Sequence, residues 1–369
     1  MRVLVVNAGS SSVKLSVIGS DDVTVAASEL DAPRASIDQG ELRAAIADGL
    51  GAVDVVGHRI VHGGQRFREP VLIDGGVEAG LRELVALAPL HQPKSLAALD
   101  AVTSALPGLP AVACFDTAFH ATLPPAARTY ALPAAWRSRW GLRRYGFHGL
   151  SHAWVARRAP GLLGGERPDL RIVSCHLGAG ASLCAIKGGQ SLDTTMGFTP
   201  LEGLVMATRS GSVDPGLLLW LMQQTGMGEL ELARALEHES GLLGLAGSAD
   251  MREIVARTGD GDPAARLALE VYLHRLRAGI ASMAAALGGL DVLVFTGGVG
   301  EHQPGIRAGA VRGMDFLGVA IDDYLNAGAV ADDREITGAG ARVRVLVIQA
   351  REDLEIARQA RGVLNRPGA

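Results

Sequence analysis

Aromatic residues make up only 4% of this 369-residue chain, cysteine occurs three times, and neither sign of charge dominates, with 35 Lys and Arg against 39 Asp and Glu. Each scarcity excludes something. Cys114, Cys175 and Cys184 lie in apolar surroundings without metal-ligand spacing, which excludes a disulfide scaffold and predicts small buried hydrophobes in a reducing compartment. The net charge is −4 and no basic tract occurs, so neither nucleic acid nor an anionic membrane surface is the expected partner. No run of about 18 or more apolar residues is present, which argues against a membrane-spanning helix. The N-terminal apolar run Val3 to Val6 turns polar at Asn7. It lacks the length and cleavage site of a signal peptide, so a cytoplasmic location is expected. Two motifs are also missing: the phosphate loop Gly-x-x-x-x-Gly-Lys-Ser/Thr and the zinc pattern His-Glu-x-x-His.

What is present points to a layered α/β protein. The chain is 48% hydrophobic with 48 glycines, suited to a large interior and many tight strand-to-helix turns. Its length is too great for one compact core and predicts two domains. Short β-branched runs read as buried strands at Val3 to Val6, Val53 to Val56, Ala111 to Phe115, Arg171 to Cys175, Val292 to Phe295 and Val343 to Ile348. Helices fit Lys94 to Leu106, Leu217 to Gln224 and Asp353 to Leu364. A further apolar stripe, Leu269, Leu273, Leu276, Ile280, Met283 and Leu287, has the spacing of a core-facing helix. One echo stands out. Arg2 to Gly9, then three serines and Val13 to Ile18, resembles in pattern Arg171 to Gly178, then Ala179-Gly180-Ala181 and Ser182 to Ile186. Both read as strand, small-residue turn, strand.

Several segments carry chemistry. Asn7-Ala8-Gly9-Ser10-Ser11-Ser12-Val13-Lys14 offers hydroxyls, backbone N–H groups and a cation to an anion, though an ordinary Ser/Gly hairpin has the same composition. Arg59, in Gly57 to Gly64, and Arg209, in Thr208 to Gly216, sit among glycines. A guanidinium fork matches carboxylate or phosphate oxygens, where a lone arginine would more simply form a surface ion pair. Among ten histidines, His148 in Tyr145-Gly146-Phe147-His148-Gly149 is the functional candidate. The others read as hydrogen-bonded structural groups, and the missing ligands argue against zinc. Asp116 and Glu352 follow strand runs, where carboxylates meet ligands in open α/β sheets and where magnesium takes one or two of them. Asp116 is equally suited to capping the turn at Thr117. Finally, Gly297-Gly298-Val299-Gly300 follows a strand, a turn along which a nucleotide can lie.

In this order the segments resemble the acetate and butyrate kinase family, in the superfamily of acetate and sugar kinases, Hsp70 and actin. The motifs Val5 to Ser12, Gly57 to Gly64, Ala88 to His91, Phe115 to His120, Tyr145 to Gly149, His176 to Gly178, Met196 to Gly203, Arg209 to Pro215, Phe295 to Glu301 and Glu352 carry it nearly end to end. The resemblance implies a two-lobed, actin-like (ribonuclease H-like) fold with a duplicated βββαβαβα core and the nucleotide in the cleft between lobes. The first lobe would be 1–120 plus 354–369, the second 121–353, in a homodimer. It implies acetate and ATP as substrates, acetyl phosphate and ADP as products, and Mg2+ (or Mn2+) as cofactor.

By the same resemblance Arg59, Asp116, His148 and Arg209 are catalytic, and Asn7, Asp116 and Glu352 surround the metal. Asn7, Ser10, Ser12, Lys14, His176, Gly178, Gly180, Gly297, Gly298 and Gly300 contact nucleotide or transferring phosphoryl. Val61, Leu90, His91, Phe147 and Pro200 form the acyl pocket. Ala179 stands where the family usually has Asn, Arg351 where Asn commonly precedes the metal-linked Glu, and the stretch from about Gly19 to Gly51 is short. Kinases for propionate or butyrate, a sugar or polyol kinase with Asp116 as general base, and a non-catalytic nucleotide-binding lobe are the competing readings.

Overall fold

The computed structural model describes residues 1–9, 12–31, 40, 44, 52–88, 92–165, 167–328 and 332–366. Most of the short stretch after Gly19 therefore lies outside the described residues, as do Ser10, Leu90 and His91. The chain forms two compact units: Met1–Ala121 with Phe147–Trp154 and Arg351–Ala369, and Thr122–Gly146 with Val155–Ala350. Phe147–Trp154, inside the span 121–353 expected as one lobe, packs with the first unit.

The first unit is built on β1 (Val3–Ala8), β2 (Ser12–Ile18), β3 (Thr24–Asp31), β4 (Val55–Ile60), β5 (Val71–Leu72) and β6 (Ala111–Phe115). Their spatial order is β3-β2-β1-β4-β6-β5. β1, β2 and β3 are antiparallel, while β1, β4 and β6 run parallel. Successive side chains of a strand point to opposite faces, so a strand covered on both sides must be apolar throughout. β1 obeys this. Val3 and Val5 cluster with Leu354, Ile356, Ala357 and Ala360 of the helix Glu352–Leu364. Leu4, Val6 and Ala8 cluster with Ala98, Ala101 and Val102 of the helix Gln92–Ala105. Asn7 is the first polar side chain, at the end of the strand.

The second unit is built on β7 (Arg171–Leu177), β8 (Ala181–Lys187), β9 (Gln190–Thr194), β10 (Val292–Thr296), β11 (Arg334–Glu335) and β12 (Arg344–Val347). The order is β11-β12-β10-β7-β8-β9, with β7, β10 and β12 parallel and β7, β8, β9 antiparallel. Read from the other edge, β9-β8-β7-β10-β12 repeats β3-β2-β1-β4-β6. The two echoing sequence segments are the matching hairpins β1–β2 and β7–β8, and the expected duplicated core is present.

Two local expectations shift. The strand anticipated at Val53 to Val56 is Val55–Ile60, running on through Gly57, His58 and Arg59; polar residues hid it, yet its partners β1 and β6 give it a full ladder. In the helix Pro263–Ala286, Leu276, Ile280 and Met283 are buried, but Leu269 and Leu273 are only half-buried. Ala265, Ala268 and Tyr272 take the inner positions, because a close helix contact favours small or flat side chains that a search for leucines overlooks.

Candidate active site

In the first unit, three adjacent parallel strands deliver polar residues at their C-terminal ends, the place where open α/β sheets bind ligands. Asn7 lies near the end of β1, Arg59 near the end of β4, and Asp116 follows β6. The Arg59 guanidinium faces the Asp116 carboxylate: Nη2 donates to Oδ2 at 2.6 Å, and Nε to Oδ1 and Oδ2 at 3.2 and 3.1 Å. Arg59 Nη1 donates to Asn7 Oδ1 at 3.1 Å, and Asn7 Nδ2 to Glu352 Oε2 at 3.0 Å. Asp116 is buried, its side chain 1% exposed, and Arg59 is partly buried at 15%. Burial alone would lower the Arg59 pKa, but Asp116 and Glu352 raise it above its ordinary value. Burial also raises the Asp116 carboxyl, against the pull of Arg59, and the neighbouring Glu352 charge adds to the rise.

These two mutually repelling carboxylates are hard oxygen donors, suited to a divalent cation that keeps much of its water. Among the described residues no group of three or more His, Cys, Asp or Glu side chains is arranged to hold a metal. Lys14 sits opposite Asn7 in the β1–β2 ladder and is exposed. Ser12 opens β2.

His148 is one of two described non-glycine residues with positive φ, at 55°, a strained conformation that persists where the surroundings impose it. The constraint is visible. Gly149 N donates to the Asp116 carbonyl at 2.9 Å, and a Cβ at Gly149 would stand 2.1 Å from that oxygen. His148 is therefore tied through the backbone to Asp116. Phe147 and Val61 are buried. Phe147 meets His62 edge-on at 5.5 Å, and its carbonyl accepts from His120 Nε2 at 3.0 Å.

In the second unit, β7 ends at His176 and Leu177, and Gly178 N closes the turn onto Gly180 O at 2.9 Å. The neighbouring β10 leads into the helix Gly297–His302, where a turn was expected. Gly297 has φ 79°, and a Cβ there would meet Leu177 O at 2.8 Å. Gly178 and Gly298 line a cavity of about 560 Å³, with Ala179, Tyr272 and Val299 in its wall. His176, Gly180, Gly297 and Gly300 flank these residues in sequence without lining it. Ala179 presents only a methyl group there, and its carbonyl accepts from Ala207 N at 3.1 Å.

Arg209 donates from Nη1 to Pro200 O at 2.7 Å and approaches Glu237 at 4.0 Å. Burial lowers its pKa, and Glu237 opposes that. Arg351, the other departure, pairs with Asp353 at 2.9 Å and donates to Thr24 Oγ1 at 2.9 Å.

Sequence reasoning missed Asp250, Met251 and Arg252, which also line the cavity. Asp250 caps the helix Met251–Gly259 and accepts from Arg252 at 2.6 Å. The signal was the Asp before a helical stretch, indistinguishable in sequence from any other cap. Tyr272, hidden in the helix stripe, was missed too; it is 3% exposed, and its hydroxyl has no hydrogen-bond partner among the described residues.

The acetokinase family model matches residues 34–358. Acetate kinase of Deinococcus deserti is 45% identical over 99% of this chain and 98% of its own length; that of Leifsonia xyli subsp. xyli is 50% identical over 84% and 78%. Among solved structures, Porphyromonas gingivalis acetate kinase superposes with TM-score 0.90 at 37% identity, covering 99% of this chain and all of that one. A propionate kinase from Francisella tularensis reaches 0.90 at 33% identity, covering 98% and 99%. The duplicated core is thus that of the actin-like ATPases, and this chain belongs to the acetokinase family.

Proposed function

We propose that the chain transfers a phosphoryl group reversibly between ATP and acetate, giving acetyl phosphate and ADP by direct in-line displacement. The cluster Asn7, Arg59, Asp116 and Glu352 carries this reading, in a chain of the acetokinase family. A short carboxylic acid is ionised at neutral pH, its reference pKa lying near 4, so it needs no general base. The acetate oxygen attacks the γ-phosphorus as the bond to the ADP oxygen breaks. The task is to hold two anions and the charge on the transferring group. Arg59 and Arg209 offer planar N–H forks for carboxylate and phosphoryl oxygens, and His148 donates to the transferring group. Asp116 holds Arg59 in its plane. Asn7, Ser10, Ser12 and Lys14 are the candidate contacts of the phosphoryl group.

Asp116 and Glu352, with Asn7 beside them, would hold Mg2+, or Mn2+ in its place. The cation supplies charge neutralisation at the phosphate oxygens. In the second unit, His176 and the turn Gly178–Gly180 meet the nucleotide phosphates. The cavity bounded by Gly298 and Val299 takes the adenosine, and Gly297 and Gly300 belong to the same helix, Gly297–His302. Both Asp116 oxygens accept from Arg59, which disfavours Asp116 as a general base for an alcohol.

Val61 and Phe147, both buried, are acyl-pocket candidates of the first unit and Pro200 one of the second; the further candidates Leu90 and His91 lie outside the described residues. The likeness to a propionate kinase supports propionate as a second acceptor. One methylene changes binding by about 1–3 kcal/mol, and the bulk of Val61 disfavours longer chains, so the order in kcat/KM is acetate, then propionate, then butyrate.

The chain works as a cytoplasmic homodimer. Leu217, Leu219, Trp220 and Met222 are exposed on the helix Pro215–Thr225, none of whose residues is buried, and such an apolar face suits a second copy. No described helix is long and apolar enough to cross a membrane.

Hydroxamate formation from MgATP, hydroxylamine and each acid tests the activity, with Arg209→Ala as control. A strong acetate signal that the control lacks is expected. No signal with any acid, while ATP still binds, would sink the reading.

A further inference from the structure

Arg307 has the largest side chain among the fully buried residues, at 0% exposure in the helix Pro304–Val311. A buried cation usually faces a carboxylate. The hydrogen bonds of this one go to neutral oxygens instead. Nη1 donates to the carbonyls of Gly300 at 2.8 Å and Glu301 at 2.7 Å; Nη2 donates to Asn326 O and Nε to Asn326 Oδ1, both at 2.7 Å. Asn326 is held in turn, its Nδ2 donating to Pro304 O at 3.0 Å. Burial, with Arg334 adding to it, pushes the Arg307 pKa down to about 10, so the group stays cationic at neutral pH.

The two carbonyls it holds sit near the C-terminal end of the helix Gly297–His302. Gly298, Val299 and His302 of that helix line the 560 Å³ cavity, and Arg307 does not. The opposite end is held as well: Glu301 Oε1 accepts from Gly297 N at 2.8 Å and Ala350 N at 2.9 Å. One cavity wall is thus a single short helix fixed at both ends by buried charged side chains. Six residues cannot hold a helix by themselves. A rigid fork that satisfies several carbonyls at once is a property of arginine; lysine offers one point charge.

We infer that Arg307 is a positioning residue for the nucleotide, fixing the Gly298–Val299 wall through the carbonyls of Gly300 and Glu301. This rests on reading the cavity as the nucleotide site. Removing the fork leaves buried carbonyls without donors, the helix end shifts, and the wall loses its fit to the nucleotide. The acid's binding groups, Arg59, Val61 and Phe147, share no hydrogen bond with this network.

The test measures MgADP binding by calorimetry, well below each protein's Tm, for wild type, Arg307→Lys, Arg307→Met and Asn326→Ala. KM for ATP and for acetate is measured beside it. Arg307→Met is expected to raise Kd for MgADP about tenfold or more while KM for acetate stays within about twofold, and Arg307→Lys to fall between. Asn326→Ala, which keeps both carbonyl bonds of Nη1, should raise Kd by roughly threefold or less. If Arg307→Met does not fold, Arg307→Lys against Asn326→Ala decides. A Kd within twofold of wild type in Arg307→Lys or Arg307→Met, with only Tm lowered, overturns the inference. So does an equal rise in both KM values. Failure of wild type to bind MgADP would instead overturn the nucleotide reading of the cavity.

Discussion

Replacing Asp116 by Ala removes the partner of a largely buried guanidinium. Arg59 gives Asp116 three N–H contacts of 2.6–3.2 Å, and only 15% of its side chain is exposed. Deleting one member of such a pair costs about 3–5 kcal/mol, because the other charge stays in a poorly solvated place without compensation. In a folding unit of roughly 150 residues each kcal/mol moves Tm by about 2–4 °C, so the expected fall is about 6–20 °C. Differential scanning calorimetry without ligand measures it. Asp116→Asn separates the contributions. It keeps one acceptor oxygen but removes the charge that burial disfavours and Arg59 favours. A loss of about 1.5–3 kcal/mol, typical of a hydrogen bond to a charged group, is expected, because the Arg59 cation loses the facing charge that favours it. An Asp116→Ala protein melting within about 2 °C of wild type would refute this account of the pair.

Acid should destabilise the fold through two buried imidazoles. His58 is pushed down to about 3 and His62 to about 4, both by burial. The unfolded chain takes up these protons near pH 6.5 and the folded one does not, so unfolding binds protons and stability falls as pH drops from about 6.5 toward 4. The slope reaches about 1.4 kcal/mol per pH unit for each group. Urea titrations from pH 7 to 4.5 should show it, and His58→Asn should flatten the curve; an unchanged slope in that variant would contradict the assignment. For the proposed homodimer, Leu219→Glu with Trp220→Glu should give a monomer by sedimentation with an unaltered far-UV spectrum, since both side chains are more than half exposed. A double variant that sediments like wild type would remove this face from the interface.

How much of this was legible in the sequence depends on the range over which each residue's role is set. The runs at β1, β6, β7, β10 and β12 announced themselves because a strand covered on both faces must be apolar along its length. The matching hairpins β1–β2 and β7–β8 carried the duplication in their own residues. The chemistry of the Asn7, Arg59, Asp116 and Glu352 types could be named in advance for the same local reason. Tertiary structure decided the rest. It alone made Asp116 the partner of Arg59, 57 residues away, and joined Asn7 to Glu352 across 345. It alone forced His148 into a left-handed backbone against Asp116. Nothing near Arg307 in sequence distinguishes it from a solvated arginine; its burial and its four oxygens come from the folds of Gly300–Glu301 and Asn326 around it. Local spacing encodes periodicity and residue type, whereas partnership, burial and strain arise only when distant segments share one interior.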